Sequence, residues 1–147
     1  MTLKLSTGIR NKMLNGGVNG GVKGALAGGK INIYSGPQPI SADTGATGTL
    51  LATVNANNAG LNFDEAVAAS ISKATAEDWS FTGLANGTAS WFRFFPAGGD
   101  PSTTSATEAR IDGSIANAGG DMRVATVSIM TGAPNAIHIF KLTLPAQ

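Results

Sequence analysis

Trp79-Ser80-Phe81-Thr82, then Asn86-Gly87, then Ala89-Ser90-Trp91-Phe92-Arg93-Phe94-Phe95: this stretch carries most of the aromatic mass of the 147-residue chain and decides its class. Successive side chains of an extended strand point to opposite faces, so the period to look for is two. Trp79 and Phe81 fall on one face, with Ser80 and Thr82 opposite. In the second run Phe92 and Phe94 share a face, and Trp91, Arg93 and Phe95 share the other. A strand with large groups on both faces is covered on both sides, by its own domain or by a partner. Asn-Gly readily supplies the positive φ angles of a tight turn, so the two runs are expected to pair as a hairpin.

The same period continues on either side. Ile31 and Ile33 alternate with polar Asn32 before Ser35-Gly36-Pro37 breaks the strand. A loop reaches Gly48, a strand covers 49–54, and Asn57-Asn58-Ala59-Gly60 turns the chain into Leu61 and Phe63. A weaker strand spans 67–74. Beyond the aromatic stretch, residues 97–106 read as loop, and three strands close the chain over 108–115, 123–130 and 136–144. Ile137 and Ile139 have one parity and Leu142 and Leu144 the other, which predicts a bulge near Phe140-Lys141. Short strands with turn signals every 8–12 residues or so describe a mainly β fold, a single antiparallel β-sandwich resembling a jelly roll, over residues 30–147.

Residues 1–29 read differently. Ser6 is placed to cap a short helix bearing Ile9, Met13 and Leu14, which Asn15-Gly16-Gly17 stops. A second helical piece over 22–27, carrying Leu26, ends at Gly28-Gly29. Neither is long enough to stand alone. The sequence predicts a partly helical N-terminal arm that lies over its own domain or on a neighbouring subunit.

Composition narrows the function. Charged residues make up 13% of the chain, against about 25% in an ordinary soluble domain. Ten Lys and Arg balance nine Asp and Glu, with one His and no Cys. Such a surface repels its neighbours weakly and suits a protein meant to be packed against others. The balance argues against nucleic-acid binding, which needs clustered Lys and Arg. No apolar run reaches the roughly 18 residues of a membrane span. The opening MTLKLSTGIRNKML lacks the apolar core of a signal peptide, so secretion by that route is not expected.

The chemical motifs are weak. Gly24-Ala25-Leu26-Ala27-Gly28-Gly29-Lys30 has the spacing of a phosphate-binding loop. Ile31 stands where the magnesium-binding Ser or Thr belongs, and the glycines follow a helix and precede a strand, the reverse of what phosphate binding uses. His138 has no second His and no Cys to complete a metal site, and no Gly-x-Ser-x-Gly elbow accompanies it. Asp64-Glu65 and Glu77-Asp78 are adjacent pairs whose members point to opposite faces, a poor catalytic unit. Asp43 lacks the spaced oxygen ligands of a calcium loop. Asn86-Gly87-Thr88 matches a glycosylation sequon but reads as a turn. No catalytic residue, cofactor or metal ligand is therefore assigned. The residues singled out are anchors of the core or of an interface: Ile9, Met13, Leu14, Leu26, Trp79, Trp91, Phe92, Phe94 and Phe95.

Several segments also carry a resemblance. Leu5-Ser6-Thr7-Gly8-Ile9-Arg10-Asn11, Ile31-Asn32-Ile33-Tyr34-Ser35-Gly36-Pro37-Gln38-Pro39 with Ser41-Ala42-Asp43, and Thr47-Gly48-Thr49-Leu50-Leu51-Ala52-Thr53 are similar to a family of small virion structural proteins of tailed bacteriophages and prophages. The likeness continues through Gly87-Thr88-Ala89-Ser90-Trp91-Phe92-Arg93-Phe94, Arg110-Ile111-Asp112-Gly113-Ser114-Ile115 and Thr131-Gly132-Ala133-Pro134, and departs at Asn15 to Gly21. The resemblance implies a non-enzymatic particle component made in the host bacterial cytoplasm and incorporated in the virion. The leading expectation is a capsid decoration or cement protein, a dimer or trimer whose partner is the major capsid protein. A tail, connector or fibre-associated role is the first alternative. A β-sandwich that binds or cleaves host-surface carbohydrate is the second.

Overall fold

The computed structural model describes residues 3–144. The chain is mainly β, 40% strand and 11% helix, and its strands close into a seven-stranded barrel. In chain order the elements are β1 Lys4–Leu5, α1 Thr7–Asn15, α2 Gly21–Leu26, β2 Lys30–Tyr34, β3 Leu50–Ala56, β4 Ser70–Ser72, β5 Trp79–Thr82, β6 Gly87–Thr88, β7 Trp91–Phe95, β8 Ile111–Ala116, β9 Met122–Val124, β10 Ser128–Ile129 and β11 Pro134–Thr143. The ring runs β8-β7-β2-β3-β5-β11-β9 and returns to β8. β1 pairs with β8 and β4 with β11 outside it, and β6 and β10 form a separate two-stranded sheet.

Three expectations are corrected. The single sheet closed on itself is a barrel where two packed layers were expected, and its last joint, β8 to β9, is parallel. Trp79–Thr82 and Trp91–Phe95 do not form a hairpin: β5 pairs with β3 and β11, while β7 pairs with β2 and β8. Asn86 explains this, because its side chain accepts from the Thr131 amide at 2.8 Å and Gly87 enters the small sheet opposite Ile129. The connection thus crosses the barrel mouth instead of turning back. The irregularity in the last strand falls between Ile137 and Ile139, ahead of Phe140-Lys141. It leaves Ile139 half exposed and turns Phe140 and Leu142 inward with Ile137.

The barrel interior is aromatic. Phe63, Trp79, Phe92, Phe94 and Phe140 meet with ring centroids 5.2–5.9 Å apart, mostly tilted or edge to face, the geometry that ring quadrupoles favour. Gly113 lies directly opposite Phe92, and a Cβ there would stand 2.7 Å from the ring. The missing side chain is what gives Phe92 its room.

The arm packs on its own barrel. Ser6 caps α1 by accepting from the Ile9 amide at 3.1 Å, and it also donates to Glu108 O and accepts from the Arg110 amide. Ile9, Val22 and Leu26 join the same apolar cluster as the strands. Met13 is half-buried against that cluster. Leu14, read from its spacing as an anchor, is 85% exposed and adds nothing to this chain's core.

Candidate functional site

β7 positions two different faces at once, and its outer face holds a cluster of ions. Arg93 faces Asp112 on β8 and Asn32 on β2, and Lys4 of β1 stands opposite Asp112 in the strand register while its ammonium donates to Pro39 O. The Arg93 guanidinium donates two hydrogen bonds of 2.8 Å to the Asp112 carboxylate and one of 2.9 Å to Thr44 O. Arg110 pairs with Asp100 at 2.6 Å and donates to Ala42 O and Thr103 O. Arg93, Arg110 and Asp112 are all fully buried. Arg93 Nη1 and Asp100 Oδ2 face each other at 3.8 Å without a hydrogen bond. Burial opposes the Arg93 charge, but Asp112 and Asp100 outweigh it and hold the guanidinium above its ordinary pKa. The two-pronged Arg93–Asp112 contact is the kind arginine makes best with a carboxylate.

This cluster fastens loops. The segments 36–48 and 96–109 cross the outer face of β7 and are tied down by the two guanidinium groups. Tyr34 stacks on Trp91 at 4.5 Å beneath them. The sequence signal was present in Arg93 between Phe92 and Phe94 and in Arg110 and Asp112 around Ile111, but the partners lie too far apart in the chain for spacing to pair them.

The anchors singled out from sequence separate by location. Ile9, Leu26, Trp79, Trp91, Phe92, Phe94 and Phe95 are buried in this chain. Indeed all nine aromatic side chains are buried, so none offers a ring face on which a sugar could stack. His138 is exposed. The acidic pairs are occupied separately. Asp64 accepts from Thr75, Glu65 pairs with Lys23, and Glu77 accepts from Asn62 and from the Trp79 indole. Hydrogen bonds from Thr75 hold the Asp64 carboxyl below its ordinary value. Burial opposes the Glu77 charge, but the bonds from Asn62 and Trp79 outweigh it, with the same downward result. Gly24 lies within α2, and Gly28 and Gly29 join that helix to β2. Among the described residues no group of three or more His, Cys, Asp or Glu is placed to hold a metal, and no helix is long and apolar enough to cross a membrane.

What the surface offers is an apolar groove of about 400 Å³. Met13, Val22 and Lys23 form one lip, Glu65, Ala66 and Ala69 the other, and Ile71, Leu142 and Leu144 the floor. Next to Met13 and Ala66 in the chain stand Leu14 and Val67, exposed by 85% and 73%. The second lip is strained. Val67 and Ser70 exchange two backbone hydrogen bonds around Ala68 and Ala69, whose φ angles are +50° and +56°. A two-residue turn of this hand calls for Asn or Gly, and alanine costs about 1–2 kcal/mol per residue there. The equivalent turn at 56–59 uses Asn57 and Asn58. The sequence signal for the strained turn was absent, since Ala-Ala reads as no turn at all.

No protein-family model matches the chain, no curated protein matches it, and no solved structure matches it.

Proposed function

We propose that this chain is a non-enzymatic structural component of a tailed-bacteriophage particle, a decoration protein that seats on the shell and adds contacts between its subunits. The observation that carries the reading is the groove between α2 and the 66–69 turn, apolar and unpartnered within the chain, with exposed Leu14 and Val67 next in sequence to its lining residues Met13 and Ala66. Strain retained at an exposed apolar turn is better explained by a contact than by folding. The scarcity of charge and the sequence resemblance to virion proteins point the same way. A module bound to the assembled shell stabilises it by mass action, because it binds the assembled form alone.

The test uses particles of the phage or prophage that encodes the chain, prepared without this protein. Added protein is expected to bind the head by immunogold imaging and to raise the temperature at which the particles release DNA. Leu14→Asp and Val67→Asp, both at exposed positions, are expected to fold and to lose binding. Labelling confined to the tail would replace the shell with the tail as the partner. Full binding by both variants would remove the groove from the account.

A further inference from the structure

The opposite end of the barrel is built without charge. No Asp, Glu, Lys or Arg occurs in residues 44–63, 79–92 or 124–140. These stretches supply β3, β5, β6, β10 and the first part of β11. Their ends are joined at one mouth of the barrel, where the Leu84 amide donates to Leu51 O, the Thr131 amide to the Asn86 side chain and the Ala89 amide to Val127 O, each at 2.8 Å. On these segments Leu50, Leu84 and Met130 are exposed by 36%, 58% and 63%. A hollow of about 160 Å³ opens among Phe81, Ile129, Met130 and Pro134. β11 starts here at Pro134 and ends at the groove described above, a rise of roughly 30 Å for ten strand residues. The two apolar surfaces are therefore separate.

Solvated turns accept Lys and Glu at no cost, and such charges keep copies of a protein apart. Their absence from every segment at this mouth marks the surface as one that is covered, since interface cores are depleted of charge. The same absence selects the occupant. A partner bringing charge to this face would have it stripped of water with no counter-charge to meet it. The occupant must itself be charge-free where it touches, and the same mouth on a second copy meets that requirement. Across a twofold axis the surface faces itself with no like charges opposed.

We propose that two copies of this chain join mouth to mouth through the β6–β10 face, with Leu84 and Met130 at the centre of the contact. The pairing does not depend on the virion reading, and it leaves the groove on each copy pointing outward.

Sedimentation equilibrium of the full chain tests it. The wild type is expected to form a dimer by about 200 μM, with a Kd that changes less than about threefold between low and high salt, because no charge is there to be screened. Leu84→Asp and Met130→Lys are each expected to weaken the dimer at least about tenfold while keeping the wild-type circular dichroism spectrum. Should Leu84→Asp misfold, Met130→Lys decides. Val67→Asp, at the groove, is expected to leave the dimer intact. A wild-type monomer throughout that range, a trimer, a dimer that survives both mouth substitutions, or one that Val67→Asp dissolves would each overturn the proposal. Particle binding is measured separately on the same variants, so loss of that function is distinguishable from loss of pairing.

Discussion

Single residues explain why two arginines lie fully buried in a chain with so few charges. Arg93 and Asp112 neutralise each other, and Arg93 Nη2 also reaches the loop carbonyl of Thr44, while Nη1 faces Asp100 at 3.8 Å. Asp112→Ala is expected to cost about 3–5 kcal/mol in urea unfolding, because it strands the Arg93 charge away from water. Replacing both partners, Arg93→Met with Asp112→Leu, is expected to cost less than Asp112→Ala alone, and a larger loss in the double variant would show that the loop contacts outweigh the ion pair. Ala68→Asn with Ala69→Gly is expected to raise stability by about 1–2 kcal/mol, the relief of two left-handed alanines being partly offset by the greater unfolded-chain entropy of glycine. An unchanged melting temperature would mean that the turn carries no strain. At this scale the sequence was readable where a residue's own parity sufficed, as for Phe92 and Phe94. It was unreadable for Asp112 and Ala68, whose roles depend on what stands opposite them.

Among the elements, the arm holds two short helices, the first capped by Ser6, and periodicity alone shows that Ile9 and Leu26 seek burial. Whose surface buries them is a tertiary matter, and the structure answers with this chain's own strands. Deleting residues 1–29 is therefore expected to lower the melting temperature sharply. A truncated protein that melts like the full chain would show that the arm is dispensable to the fold. The arm is also expected to respond to acid. Partial burial works against the Asp43 carboxylate, but the hydroxyl and amide of Thr7 donate to it at 2.6 and 2.7 Å and, with Arg10 and Arg110, hold it below its ordinary pKa. A carboxyl depressed in the folded state stabilises fully above its unfolded value and loses that contribution as pH falls through the folded one. Hydrogen exchange at the start of α1 should accelerate, relative to the β7 amides, as pH drops below about 4. Equal acceleration in Asp43→Asn and wild type would place the acid response elsewhere. The missed hairpin belongs to this scale too: Asn86-Gly87 is a sound turn signal, but a side-chain bond to Thr131 sent the chain elsewhere.

For the whole molecule, strand content was legible from the period of two, whereas closure was not. Two layers and one ring use the same alternation, and the difference rests on β9, three residues that join β8 to β11. One continuous core under arm and barrel predicts one transition. Phe92→Ala is expected to cost about 3–5 kcal/mol and to shift circular dichroism and tryptophan fluorescence melts together; separated melts would divide the chain into independent units. A flat sheet ends in two border strands whose amides and carbonyls are unclaimed, and proteins commonly guard those borders with lysine and glutamate. A ring has no first or last strand, and the pieces outside it, β1, β4, β6 and β10, run only two or three residues. Crowded copies of this chain find only these short borders on which to zip backbone to backbone and meet chiefly through side chains. A protein that has given up charge as its means of keeping copies apart limits how they meet: circular topology withholds strand-to-strand growth and leaves pairing to the mouth.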